Sequence, residues 1–338
     1  MNARKTPMKK RLIFAAAIAA AAAVVTVAPC ASAETPADHH GQVVTQVKTA
    51  AAFDFAAGES PENITVNPDG SLTLSMLGIS AGKAPELVRI AESGQRTVLV
   101  TGHAGDAITG NTRGRDGAVY YNVLSSDASR SGVWKDTPGG TPERIAALPV
   151  GAFPNGLAID PSGRTLYVAD SYKGTVWAVP ASGGTATAWL TNAALAPDAS
   201  SAPPLGANGL RFHNGAVWVS NLSKGTLLRV QVNADGTNGR IHVVTTGVVG
   251  IDDFNFLNRR SDVVFAALHA LNQIAAVYPD GAKKIVLTKA DGVAAPTATA
   301  VRGNRLYVTD SGMDETPHDP KLQVGKINFR ALFGGAAH

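Results

Sequence analysis

Apolar positions in this chain come in short alternating bursts, and the bursts fall in groups of four. Pro154–Trp177, PNGLAIDPSGRTLYVADSYKGTVW, shows the pattern. Leu157–Ile159 and Leu166–Val168 are rich in strand formers. Between them Asp160-Pro161-Ser162-Gly163 supplies a pre-set φ at proline and a free one at glycine, which a reversing turn needs. A second turn, Ser171–Gly174, leads to Thr175–Val179, and Ala186–Leu190 reads as a fourth strand. Four short antiparallel strands cannot bury both faces of their own sheet, so the unit requires copies beside it.

The copies are present. The phrase returns at Asn208–Asn221, at Asp252–Leu268, at Thr297–Asp310 and earlier at Glu62–Ser75. Its faintest version is Ile108–Asn122, marked by Asp116-Gly117 and Val119-Tyr120-Tyr121. The openings at 62, 108, 155, 208, 252 and 297 are 46, 47, 53, 44 and 45 residues apart. A four-stranded repeat of that period predicts propeller blades. The fold class expected is all-β, a six-bladed β-propeller over residues 44–332. Val44–Phe55 and Leu322–Phe329 should join in one shared closing blade, because closure removes open sheet edges. His103–Arg115, Thr191–Gly206 and Ser311–Lys321 read as long loops, and Ala331–His338 as a frayed end whose last residues, 333–338, lie beyond the propeller.

Charge and cysteine usage refine this picture. Residues 1–33 have a basic start (Arg4, Lys5, Lys9, Lys10, Arg11), an apolar middle and Ala31-Ser32-Ala33, the pattern of a secretory signal cleaved after Ala33. A lipoprotein signal through Cys30 is disfavoured by Pro29. Cleavage leaves 338 minus 33, or 305 residues, with 25 basic and 26 acidic side chains. A chain so near neutrality gives no reason to expect nucleic acid, and no other apolar run is long enough for a membrane. Cys30 is the sole cysteine, so stability must come from packing. Residues 34–43, with His39-His40, read as a flexible tail; metal binding by that pair is the minor reading. Nothing points to an obligate partner, so a monomer is the default.

Strand direction places the candidate chemistry. The residue opening each first strand and the residue closing each second strand lie at one end of a blade, around the central channel. The openings are Glu62, Ile108 or Thr109, Asn155, Asn208, Asp252 and Thr297. The closings are Ser75, Asn122, Asp170, Asn221, Leu268 with His269, and Asp310. Carboxylates and amides converging on one point make a hard, oxygen-rich site suited to Ca2+, or to Mg2+ or Mn2+. Asp170, Asn221 and Asp310, just behind, are candidates for substrate contact. Each element also has a structural reading: Asn155-Gly156 and Asn208-Gly209 as turns, Asp170 and Asp310 as turn caps, His269 as a hydrogen-bonded support.

The phrases PENITVNPDGSLTLS, PNGLAIDPSGRTLYVAD and ANGLRFHNGAVWVSN, with the Asp252-Asp253-Phe254 opening, resemble the regucalcin/gluconolactonase-like family of six-bladed propellers. The resemblance covers nearly all of the chain after residue 33. It implies a divalent metal, usually calcium, held by Glu62, Asn208 and Asp252, with Asn155 toward metal-bound water or substrate. Glu59 and Asp253 compete with Glu62 and Asp252 for these places. Glu62 is preferred on its spacing to Leu72, and Asp252 because Asp253-Phe254 replaces the usual Gly-apolar pair. The family's substrate-gripping arginine of the third blade has no counterpart; Phe153 and Pro154 stand there, which turns the expectation from a sugar lactone toward something more apolar.

The function expected is a secreted, metal-dependent hydrolase of a small cyclic ester. Asp252 would serve as ligand and proton acceptor, His269 as an alternative base, and Asn155 and Asn208 would place the oxyanion and the metal. A non-catalytic extracellular propeller binding a ligand or protein on the same face is the rival, and a metal-dependent lyase using His269 is a third reading.

Overall fold

The computed structural model describes residues 41–334. The leader expected at 1–33, Cys30 and His39-His40 lie outside the described residues, as do residues 335–338 of the expected C-terminal tail. Six four-stranded antiparallel sheets form the blades. Their innermost strands are Pro61–Val66, Ala107–Arg113, Pro154–Ile159, Ala207–His213, Ile251–Asn258 and Pro296–Arg302, here blades one to six. Each begins one residue before an opening position read from the repeat. Blade six is the composite one: Val44–Ala52 pairs antiparallel with Lys321–Ile327 and becomes its outermost strand. Among the described residues no helix is long and apolar enough to cross a membrane.

Two readings are corrected. His103–Arg115 is not a long loop, since most of it is the inner strand Ala107–Arg113. Its Thr109, Gly110, Asn111 and Thr112 hide the alternation because an inner strand faces polar neighbours across the channel. At the other end, Phe329–Leu332 is a helical turn, not strand or frayed chain. Ala331 and Leu332 are buried in the core between blades five and six, and the Tyr278 hydroxyl donates to the Leu332 carbonyl at 2.6 Å.

Packing explains the burial pattern. Second strands such as Val119–Leu124 and Ala216–Asn221 are buried throughout, because both of their faces meet neighbouring blades. Six apolar clusters each join one pair of adjacent blades, for example Trp218, Phe254 and Phe256 between blades four and five. Turns at the far end follow their sequence: Asp160 Oδ1 accepts from the Arg164 and Thr165 N–H groups while Gly163 takes φ +77°.

Every inner strand carries a register shift against its second strand at its opening residues. A β-bulge of this kind bends the strand and re-aims side chains. The Asn-Gly pairs at 155 and 208 therefore belong to bulges inside strands, not to hairpin turns. Glycine is required there by crowding: a Cβ on Gly156 would collide with the backbone of Asn208 and Leu210 in the next blade. We predict that Gly156→Ala costs about 1–3 kcal/mol of stability, measured by urea unfolding. A variant as stable as the native chain would show that this approach of blades three and four is not tight.

Candidate functional site

The bulges bring four of the expected residues together at one mouth of the channel. Asp252 feels the charge of Glu62 and is supported by the Asn208 side chain. His269, one residue past the second strand of blade five, holds Nδ1 3.8 Å from Asp252 Oδ2. Its Nε2 lies 2.9 Å from Asp314 Oδ2 in the Ser311–Pro320 loop. That hydrogen bond holds the Asp314 carboxyl below its ordinary range. An ionised carboxylate only accepts, so Nε2 donates the proton of this hydrogen bond and the ring is oriented with Nδ1 toward Asp252. Nδ1 is buried and has no hydrogen-bond partner.

Both acids are poised away from their ordinary ionisation. Burial pushes Glu62 up to about 7, with His269 pulling it down and the charge of Asp253 pushing further up. Burial raises Asp252 well above the usual carboxylate range, and Glu62 and Asp253 add to this by like-charge repulsion. Neither carboxylate has an Arg or Lys partner among the described residues. The buried Asn208 Oδ1 likewise lacks a hydrogen-bond partner. Two carboxylates, an orphaned amide oxygen and an unpartnered imidazole nitrogen are a donor set that fits a hard divalent cation. No three His, Cys, Asp or Glu side chains among the described residues gather as a metal cluster by themselves. The candidate set depends on the amide.

The competing acids are committed elsewhere. Glu59 pairs with Arg96, which also reaches Glu86 at 2.8 Å, and it accepts from the Asp54 N–H. Asp253 lies 2.6 Å from Arg211 and accepts from Asn63. Burial still raises Asp253, against the pull of Arg211 and of the Phe254 N–H. Sequence reasoning missed this ion pair and the role of Asp314. The signal for the first was Arg211, a guanidinium inside the ANGLRFH phrase where an inner strand has no solvent to serve it.

The remaining candidates have other occupations. Asn155 is buried in the bulge of blade three, and its carbonyl accepts from Asn122 Nδ2 at 2.7 Å. Asp170 accepts from the N–H groups of Phe153, Tyr172 and Lys173 and from Trp177 Nε1. Asn221 donates to the carbonyls of Ala194 and Ala196 and accepts from Lys224. Both sets of contacts are loop latches. Asp310 accepts from the Ala294 N–H through Oδ1, while Oδ2 is buried without a partner. Two clefts of about 420 and 230 Å³ lie between blades, one beside Tyr167 and Trp189, one beside Tyr121 and Trp134. The one buried acid between them, Asp106, is neutralised by Arg130 at 2.6 Å, so neither cleft has the unneutralised acids of the mouth.

The fold and this mouth define the class: the chain is a six-bladed β-propeller. No family profile matches it, and no curated protein matches by sequence. Solved structures match through the fold. One is provisionally described as a gluconolactonase, with TM-score 0.62 and 18% identity over 84% of this chain and 92% of that one. Another is virginiamycin B lyase from Staphylococcus aureus, with TM-score 0.55 and 12% identity over 84% and 99%. A third is the PQQ-bound aldose sugar dehydrogenase of Streptomyces coelicolor, with TM-score 0.55 and 13% identity over 84% and 98%. At these identities the likeness concerns the architecture, which propeller enzymes share.

Asp310 yields a test separate from the mouth. Burial pushes its carboxyl up to about 8, with the Ala294 N–H and Lys321 opposing and Asp319 assisting. The folded state therefore binds more protons than the unfolded one between the ordinary carboxylate range and about 8. Stability from this group is full below the unfolded pKa and falls as pH rises toward the folded one. Asp310→Asn lacks this loss. Its Tm relative to the native chain is predicted to climb between about pH 5 and about pH 9, followed by calorimetry; a gap that ignores pH contradicts the assignment.

Proposed function

We propose that the protein is a hydrolase of small cyclic esters working at the centre formed by Glu62, Asn208, Asp252 and His269. The observation that carries this is the pair of unneutralised carboxylates, Asp252 buried and Glu62 half-buried, beside an orphaned amide oxygen at the channel mouth. Glu62, Asn208 and Asp252 would hold a divalent cation, Ca2+ foremost, with Mg2+ or Mn2+ as alternatives. Bound there, it would polarise an ester carbonyl and make a neighbouring water more acidic. Asp252 stands as the proton acceptor for that water, with His269 Nδ1, oriented by Asp314, as the second base. Asn155, on the same ring of bulges, would donate to the carbonyl oxygen of the ester. The low exposure of the acids keeps bulk water away from the reacting carbonyl and strengthens each interaction. Residues 1–33, read as a cleaved leader, extend the proposal to a secreted enzyme, with a monomer as the default.

A lyase is the second reading, and the His269–Asp314 pair favours it, since elimination needs a held base. In virginiamycin B lyase, a histidine-to-alanine variant is catalytically inactive. Product mass separates the two: hydrolysis of a cyclic ester adds one water, whereas eliminative ring opening leaves the mass unchanged. A propeller that only binds its ligand would give neither product.

The test combines metal analysis with turnover. Asp252→Ala is predicted to lose bound metal and at least about 100-fold in kcat/KM on lactones, and chelation should silence the native protein reversibly. Metal retained at full occupancy in Asp252→Ala would overturn the ligand assignment. Lactone turnover indifferent to chelator would overturn the role of the cation.

A further inference from the structure

We propose that the apolar rim above the acid centre receives a hydrocarbon arm of the substrate, so that lipophilic cyclic esters are preferred over polyhydroxylated ones. The inference rests on the hydrolase reading and adds the substrate class to it.

Six of the seven apolar clusters join neighbouring blades; the seventh spans five blades and sits at the end of the propeller where the acids lie. One member from each of these five blades falls at a corresponding place, at or just past the end of the second strand. Blade one supplies Leu77, blade two Leu124, blade three Tyr172, blade four Leu222 and blade six Met313. Blade five supplies His269 at that place, and its Nδ1 is 3.8 Å from Asp252. The same ring of loops thus carries apolar side chains on five blades and the base on the fifth. Leu77 and Leu124 are buried, while Tyr172, Leu222 and Met313 pack against them and keep part of their surface open.

The other six clusters already join every pair of adjacent blades, so this one is set apart by its place at the mouth. Phe153, where the sequence lacks an arginine, is buried in this cluster and meets Tyr172 edge-on at 5.1 Å. Asp170 fixes both through their N–H groups, so the pair is a rigid wall. A sugar lactone would press several hydroxyls against these side chains without hydrogen-bond partners, which costs free energy at each group. An alkyl or aromatic arm gains by the same contact. The one polar break, at His269 and Asp314, would orient the ring carbonyl toward Asp252.

The experiment measures kcat/KM over γ-lactones of increasing alkyl chain and over gluconolactone, and measures binding of alkyl γ-lactams, which resist opening, by calorimetry. For the native protein kcat/KM should rise about 3–4-fold per methylene until the rim is filled, and gluconolactone should be at least about 100-fold poorer. Leu222→Ser and Met313→Gln, each checked for an unchanged fold by circular dichroism, should flatten both the turnover slope and the lactam affinity slope. A flat slope in the native protein, or preference for gluconolactone, overturns the inference while leaving the hydrolase reading intact. Lactam affinity that rises with chain length in a protein that opens no lactone sinks the hydrolase reading and upholds the rim as a binding site.

Discussion

The structure depends on one local constraint: each inner strand opens with a bulge, and in blades two, three and four the next blade's backbone passes it within van der Waals contact. A regular strand alternates its side chains between two faces and would send half of the opening residues into the blade cores. The bulge breaks that alternation at Glu62, Asn155, Asn208 and Asp252, and offers polar side chains to the mouth without interrupting the apolar second strand behind. Its condition is the absence of a Cβ at Gly110, Gly156 and Gly209, where the neighbouring inner strand leaves no room. Site chemistry and ring geometry are therefore set by the same few residues.

Hydrogen bonds between blades hold these openings in register. Thr109 Oγ1 donates to the Pro154 carbonyl at 2.8 Å, Thr297 Oγ1 to that of Pro61 at 3.0 Å, and Ser220 Oγ to that of Asp252. Each bond ties one blade to the opening residues of another, so displacement of a single blade would disturb a site residue directly. Closure by Val44–Ala52 in blade six completes the circuit. The candidate centre, spread over three blades, needs such a circuit, because no single sheet could fix carboxylates as far apart in the chain as Glu62 and Asp252.

The ring was legible because its signal is periodic: six turn-bounded phrases with polar openings are visible without any knowledge of packing. The faint second blade was legible only in part, because Ala107–Arg113 trades apolar positions for Thr109 and Asn111, which bond to neighbouring blades rather than alternate. Which acids stay unpaired could not be read, since pairing depends on distances across the folded blade or between blades. Arg96 reaches Glu59, and Arg211 reaches Asp253, across gaps that the sequence does not encode locally. The loop latches at Asp170 and Asn221 look the same in sequence as site residues because turn closure and ligand contact call for the same side chains. The apolar rim was hidden too, as each of its members is a single residue in a separate loop.

Asp252 and Asp253 make the case for function more sharply than any motif. They are adjacent, both buried, and both raised by desolvation. For Asp253 the fold supplies what a buried charge requires: Arg211 at 2.6 Å, Asn63, and the Phe254 N–H. For Asp252 it supplies another acid, Glu62, and an imidazole whose nearer nitrogen is unpartnered. A scaffold able to neutralise one carboxylate could serve its neighbour in the same way, or replace it with an apolar residue at little cost to stability. Two unneutralised carboxylates at the mouth, one residue away from a fully paired one, are unfavourable for folding alone. Raised as they are, the two carboxyls can be relieved by holding a proton between them or by a cation that enters the mouth. The proposed hydrolase rests on the second, because only a cation adds the power to polarise a carbonyl.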